Sequence, residues 1–209
     1  MKVLAINGSP RKKGNTAFAL QQVGSSLREE SIDFEIVHIG QKAIHGCIDC
    51  GKCKSNTNGK CSSFNDVVNE VLPLMCEADA LLLGSPVYYS SIAGTMKCFL
   101  DRAFYVAAVN ERLFRHKIGA SVAAARRSGG MTTFDGLNHY LLHSEMIVAG
   151  SLYWSVIHGR NPGESTQDLE GIQTMRILGK NIAWLLKMKK SSDHVEPQAE
   201  TKIRTSFIR

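Results

Sequence analysis

Four cysteines, Cys47, Cys50, Cys53 and Cys61, fall within fifteen residues. Thiolates at this density are ligands for a soft metal or partners in thiol redox exchange. Two residues separate successive members of the first three, and seven separate Cys53 from Cys61. Three thiolates so spaced can wrap one face of an iron-sulfur cubane, and the stretch from Lys54 to Lys60 can return the fourth ligand. Gly46, Gly51 and Gly59 ease the turns this requires. The bacterial ferredoxin run differs, with a closer fourth cysteine followed by proline. Two further chemistries fit the same residues. A zinc site would accept four thiolates, although such sites more often set two pairs apart along the chain. A redox-active dithiol, or thiols holding no metal, is the other. His45, two residues before Cys47, reads as a loop residue, and Cys76 and Cys98 lie in apolar helical patterns typical of core positions.

A second chemistry-bearing segment is Asn7-Gly8-Ser9-Pro10-Arg11-Lys12-Lys13-Gly14-Asn15-Thr16. It follows an apolar strand and opens a helix, where free backbone N–H groups and the helix dipole favour a phosphate. Ser9, Asn15 and Thr16 add side-chain donors and Arg11 adds charge. The glycine spacing is neither the dinucleotide fingerprint nor a Walker loop, so a mononucleotide phosphate fits better. The plainer alternative is a turn in which Asn15 or Thr16 caps the helix.

The third segment is Gly84-Ser85-Pro86-Val87-Tyr88-Tyr89-Ser90-Ser91, again after an apolar strand. Pro86 restricts the backbone, and Val87, Tyr88, Tyr89 and Ser90 offer apolar faces and amides that suit the border of a flat ring system. Otherwise it is a surface turn packed over one tyrosine. Ser9 and Ser85 have no histidine and carboxylate in an order that argues for a hydrolase.

Positioning these loops requires a rigid frame. Five apolar runs, at residues 3–6, 34–39, 80–83, 118–124 and 147–152, alternate with helical patterns at 15–29, 65–76, 93–107, 131–144 and 168–187. Five strand-helix units predict an α/β, flavodoxin-like, doubly wound five-stranded parallel sheet in the order 2-1-3-4-5. In that topology the ligand site lies beyond the carboxyl ends of the first and third strands, and the cysteine-rich loop, residues 45–63, follows the second. One domain over 1–188 and a polar, flexible tail over 189–209 complete the expected organisation. Phe104, Tyr105, Tyr153 and Trp154 read as core packing in preference to contacts between subunits.

At 209 residues and 44% hydrophobic composition the chain supports one well-buried core. The net charge is +6, but from residue 187 onward six Lys or Arg face three Asp or Glu, so the tail carries half of it. Without interleaved aromatics that tail reads as solvated, with a little apolar surface at Ile203, Phe207 and Ile208, and nucleic acid is not an expected partner. The N-terminal apolar run is too short for a signal segment, and no uncharged apolar stretch approaches membrane-spanning length. A cytoplasmic protein without membrane association is expected, where clustered cysteines serve metals or redox chemistry more often than structural disulfides.

The motifs Asn7-Gly8-Ser9-Pro10-Arg11 with Asn15-Thr16, Gly84-Ser85-Pro86-Val87-Tyr88-Tyr89, and Lys97-Cys98-Phe99-Leu100-Asp101-Arg102 resemble the NADPH-dependent FMN reductase group of the flavodoxin-like superfamily over residues 1–187. The cysteine loop resembles that of the iron-sulfur flavoproteins. The resemblance implies FMN, with Ser9, Arg11, Asn15 and Thr16 at its phosphate and Pro86 to Ser90 beside the isoalloxazine. A third contact at Arg126, Arg127 and Gly129 is implied, glycine admitting backbone amides to the pyrimidine edge and an arginine offsetting negative charge on the reduced ring. It further implies a 4Fe-4S cluster on Cys47, Cys50, Cys53 and Cys61. The expected function is FMN-dependent electron transfer coupled to the cluster. NAD(P)H or ferredoxin would be the donor, and a quinone, dioxygen, peroxide or another protein the acceptor, in a homodimer or homotetramer. Two alternatives stay open: an NAD(P)H-dependent flavin, quinone or azo reductase without a cluster, and a non-enzymatic redox carrier or sensor. No residue is assigned acid or base catalysis, because the cofactors carry the chemistry.

Overall fold

The computed structural model describes residues 1–203, 205 and 207. The chain runs β1 (Lys2–Asn7), α1 (Asn15–Glu29), β2 (Asp33–His38), α2 (Lys52–Asn56), α3 (Val67–Glu77), β3 (Ala80–Tyr88), β4 (Ser91–Ile92) and α4 (Gly94–Val109). It continues through β5 (Ile118–Ala125), α5 (Gly130–His143), β6 (Ile147–Val148), β7 (Val156–His158), a short 3-10 turn at Glu164–Gln167, and α6 (Leu169–Ser191). The main sheet is parallel in the order β2-β1-β3-β5-β6, as expected for a flavodoxin-like fold.

Period-two alternation divides the core. Val3 and Ala5 of β1, with Leu82 of β3, pack against α1 and α6 through Leu20, Val23, Leu178 and Ile182. Leu4 and Ile6, with Leu81 and Leu83, face α3, α4 and α5 through Leu72, Phe99 and Leu137. Strands covered on both faces are largely apolar, which is why β1, β3 and β5 are readable as near-continuous hydrophobic runs, broken inside only by the buried Ser85 and Ser121.

The fifth sheet position departs from expectation. Residues 147–152 do not form one strand, because pairing stops after Val148 and resumes at β7, which takes the upper half of β5 from Ala123 to Ala125. The intervening segment is drawn onto α6, where Asn181 Nδ2 donates to the Gly150 carbonyl at 2.9 Å and Ser151 Oγ donates to the Thr174 carbonyl at 2.7 Å. Together with β4, hairpinned onto β3, this makes seven strands among the described residues in place of five.

Several single-residue expectations are also corrected. Cys76 and Cys98 are half-buried, not core. Phe104 is core, but Tyr105, Tyr153 and Trp154 are exposed, the last two meeting edge to face at 4.4 Å. Helix α6 continues to Ser191, past the expected domain boundary. Beyond it the described residues have no regular structure but lie against the body, Arg115 donating to the Pro197 carbonyl at 2.8 Å and Glu196 meeting both His116 and Lys189. The hydrogen bond from Lys189, and after it the one to His116, hold the Glu196 carboxyl down at about 2. Ile203 and Phe207 are exposed, and Ile208 lies outside the described residues. Among the described residues no helix is long and apolar enough to cross a membrane.

Candidate functional site

Three loops leave the carboxyl ends of β1, β3 and β5 side by side. Asn7 pairs with Gly84, and Pro86 pairs with Ala124, so the loops after these strands must meet at one rim. The switch point lies between β1 and β3, where strand order reverses and open α/β sheets hold ligands.

The first loop is closely shaped. Gly8 donates to the Gly84 carbonyl at 2.9 Å, and a Cβ on Gly8 would stand 2.5 Å from Cβ of Met96, so only glycine lets β1 pass α4 this closely. Asn7 Oδ1 accepts from the Ser9 N–H at 3.0 Å, and Ser9 Oγ accepts from the Arg11 N–H at 3.2 Å. Helix α1 has Gly14 as its N-cap and no side-chain cap, which removes the alternative of Asn15 or Thr16 as the cap. The N–H groups of the first turn, at Asn15, Thr16 and Ala17, therefore have no intrahelical acceptor and point outward from a dipole of positive sign. Ser9 and Thr16 are buried beside them, Arg11 is exposed, and Asn7 Nδ2 is a buried donor with no acceptor. A phosphate and its ester oxygens match this donor set.

Asn15 also braces a neighbouring loop. Its Oδ1 accepts from the Gly163 N–H at 3.2 Å and from Ser165 Oγ at 3.0 Å, tying the loop after β7 to the phosphate loop. Arg11 Nη1 also donates to the Arg160 carbonyl, at 3.2 Å. Sequence reasoning passed over residues 159–165. Their only signal was the turn-forming run Gly159-Arg160-Asn161-Pro162-Gly163.

The second and third loops form one pocket of about 450 Å³ lined by Val87, Tyr89, Ser90, Arg126, Arg127 and Ser128. Tyr89 and Ser90 both adopt left-handed backbone, φ +48° and +57°, which is costly for a tyrosine and swings its ring fully into solvent. Gly129, at φ +84°, closes against this turn, since a Cβ there would meet Val87 Cγ1 at 2.8 Å and Ser90 Cα at 2.9 Å. Thr132 Oγ1 fastens the same contact by donating to the Ser90 carbonyl at 2.6 Å. Pro86 is half-buried at the rim, Tyr88 is exposed, and the Arg126 and Arg127 guanidiniums stand free at the pocket mouth. An apolar ledge, backbone amides and two cations suit a planar ring with polar and apolar edges. The residues fit FMN.

The four cysteines come together elsewhere. Cys47, Cys50, Cys53 and Cys61 line one small cavity with Phe64, Arg102 and Tyr105, on the flank of α4. Gly51, φ +70°, caps helix α2, which turns Cys53 inward, where burial pushes its thiol up; Cys47 and Cys50 remain exposed. The Ser63 hydroxyl, 3.0 Å from Cys50 Sγ, holds that thiol below its ordinary value. Asn110 anchors the loop from beneath, accepting from the Gly59 N–H at 2.9 Å and donating to the Cys53 carbonyl at 3.3 Å.

Arg102 is buried at 1% exposure and directs donors at this loop from α4. Its Nε is 3.3 Å from Cys61 Sγ, Nη1 reaches the His45 carbonyl at 3.3 Å, and both terminal nitrogens grip Asp66 at 2.5 and 3.0 Å. His45 itself is exposed and stacks on Phe64 at 4.9 Å, as befits a loop residue.

Among the described residues no group of three or more Cys, His, Asp or Glu side chains converges as for one metal ion. Four cysteines bordering one cavity are the donor set that an iron-sulfur cluster or a zinc ion would use. The free space among them is about 20 Å³, room for one water, so seating a cluster requires the exposed segment from Cys47 to Gly51 to open. The donor chemistry fits.

Comparison with known proteins agrees with this architecture. The family model described as NADPH-dependent FMN reductase matches residues 1–161. An iron-sulfur flavoprotein of Methanocaldococcus jannaschii is 36% identical over 197 residues, covering 91% of this chain and all of the relative. RosB, solved with the bound intermediate 8-demethyl-8-formylriboflavin-5'-phosphate, superposes with a TM-score of 0.70 at 14% identity, covering 100% of this chain and 96% of RosB. A flavodoxin from the domain Archaea gives 0.58 at 18% identity, covering 90% and 99% of the two chains. These two structures share the fold. Matched over most of its length by the family model, and over 91% of it by the M. jannaschii relative, the chain belongs to the NADPH-dependent FMN reductase family and, within it, to the iron-sulfur flavoproteins.

Proposed function

We propose that this protein is an electron-transfer oxidoreductase that binds FMN at the β1-β3-β5 rim and a 4Fe-4S cluster on Cys47, Cys50, Cys53 and Cys61. The observation that carries the reading is that all four cysteines, dispersed over a loop, border a single cavity on a fold whose strand-end loops suit FMN. Bound flavin supplies acceptance of a hydride's two electrons, and a bound cluster supplies one-electron exchange.

The chain's own contribution is placement and electrostatics. The first-turn amides of α1, with Ser9, Arg11 and Thr16, hold the phosphate, while Asn15 fixes the neighbouring loop. Val87 and Tyr89 border the ring, and Arg126 and Arg127 offset negative charge that develops on it during reduction. The cysteine cavity reaches α4 at Arg102, Tyr105 and Val106, on the order of 12 to 18 Å along the helix from its start at Gly94. That separation favours a homodimer or homotetramer in which one subunit's cysteine loop approaches its neighbour's FMN. The donor is NAD(P)H or a ferredoxin, and the acceptor a quinone, dioxygen, peroxide or a protein.

The test is anaerobic purification with iron, acid-labile sulfide and flavin measured per chain. The expected result is one FMN and four iron with four sulfide. Stoichiometric FMN without iron or sulfide after anaerobic reconstitution would leave a cluster-free NAD(P)H-dependent reductase, and absence of FMN would remove the reading entirely.

A further inference from the structure

Among the described residues the guanidinium of Arg102 is the most deeply buried charge, and the cofactor reading gives it no role. Burying such a cation costs several kcal/mol unless every donor is met. Four of its five N–H groups are directed at oxygen: the two Asp66 carboxylate atoms and the carbonyls of His45 and Phe64. The fifth, on Nε, goes to Cys61 Sγ at 3.3 Å. A neutral thiol is a poor acceptor for the fixed fork of an arginine, whereas an anionic sulfur matches it. The Phe64 ring, 4.9 Å from the guanidinium carbon, screens the group from water and so keeps its charge effective.

From this geometry we infer that Arg102 is a positioning residue that tunes the cysteine-held cluster, its Nε–H and positive charge acting through Cys61 to favour the reduced state. The role rests on the cluster reading above. One added electron makes the cluster more negative, and a cation with a hydrogen bond to a ligating sulfur stabilises that form over the oxidised one. Asp66 opposes the effect by neutralising most of the cation, so the pair sets the potential between two limits.

The two halves of the pair therefore move it in opposite directions. Arg102→Gln, Arg102→Lys and Asp66→Asn are compared with the parent by anaerobic potentiometric titration against dithionite. The cluster is followed by electron paramagnetic resonance and the flavin by absorbance, with iron, sulfide and thermal unfolding measured on each protein. Asn at position 66 still accepts from the Val68 N–H and so keeps the cap of α3. Arg102→Gln is expected to shift the cluster's reduction equilibrium about tenfold toward the oxidised form, ~59 mV for a one-electron couple. Arg102→Lys falls between it and the parent. Asp66→Asn shifts the equilibrium the other way, and the flavin couple stays put in all four.

A residue that merely braces the loop would lower cluster content and unfolding temperature without opposed shifts. If Arg102→Gln does not load, the lysine and asparagine variants carry the comparison. Loaded variants at the parental potential, shifts of the same sign, or an equal shift of the flavin would overturn the role of Arg102 alone. A parent that takes up no iron or sulfide overturns the cluster reading, and this role with it.

Discussion

Asn69 holds both backbone polar groups of Cys61: its Oδ1 accepts the Cys61 N–H at 2.8 Å and its Nδ2 donates to the Cys61 carbonyl at 3.0 Å. The same Nδ2 serves the Phe64 carbonyl at 3.0 Å. The fourth cysteine is thus set by α3, a helix that contributes no thiol of its own to the group of four.

Replacing Asn69 by alanine should leave these backbone groups without their partners and lower stability by about 1–3 kcal/mol. Chemical denaturation gives the value. Iron retained per chain should fall while FMN content stays at the parental level, and an unchanged iron content would show that Asn69 does not organise the cysteine loop.

Gly8→Ala should be far more damaging than its size implies. The added Cβ meets Met96 at 2.5 Å in a place where β1 and α4 cannot separate, an overpacking cost of about 1–3 kcal/mol. The loop would tilt away from α1, so flavin per purified chain should drop with the unfolding temperature. Normal flavin content in a stable variant would contradict the tight packing described here.

Arg11→Ala distinguishes phosphate from ring recognition. Loss of one exposed cation at the helix N-terminus should weaken FMN about tenfold, or ~1.4 kcal/mol, and leave riboflavin unchanged. Quenching of flavin fluorescence on titration measures both. Equal losses for the two flavins would place Arg11 away from the phosphate.

Tyr140 yields a pH prediction. Burial first, and then its hydrogen bond to Asp101, push its phenol up to about 12. The folded state therefore keeps a proton that the unfolded chain releases near pH 10, so this contribution to stability is complete below pH 10 and disappears as the pH rises to about 12. Ultraviolet titration should show a late phenolate component that Tyr140→Phe abolishes. Its survival in that variant would assign the late component to another of the five tyrosines.

Much of the frame was legible along the chain. Strands at 3–6, 80–83 and 118–124 were visible because burial on both faces leaves them almost wholly apolar, with only the small, buried Ser121 interrupting the third. Helix α1 was bounded correctly at Asn15 and Glu29 by its period. The fifth strand was not, because an apolar run has no feature that says where pairing ends. Here the end is set by hydrogen bonds from Asn181 and Ser151, which draw the segment onto α6. Asn15 was read as a phosphate ligand from its place at a helix start. Its carbonyl oxygen also serves Gly163 and Ser165, residues about 150 positions away, a brace that no local pattern announces.

The sequence by itself determined the parallel α/β frame, the three loops at its rim and a thiol spacing compatible with a cluster. Those are consequences of short-range sterics and burial period, which neighbouring residues carry together. Only the tertiary structure decided how the thiols stand around a cavity and what surrounds them. Arg102 reaches Cys61 across 41 positions and Asp66 across 36. A buried guanidinium is tolerated only where all its donors are met at once, and that condition exists only after α3, α4 and the cysteine loop have closed together.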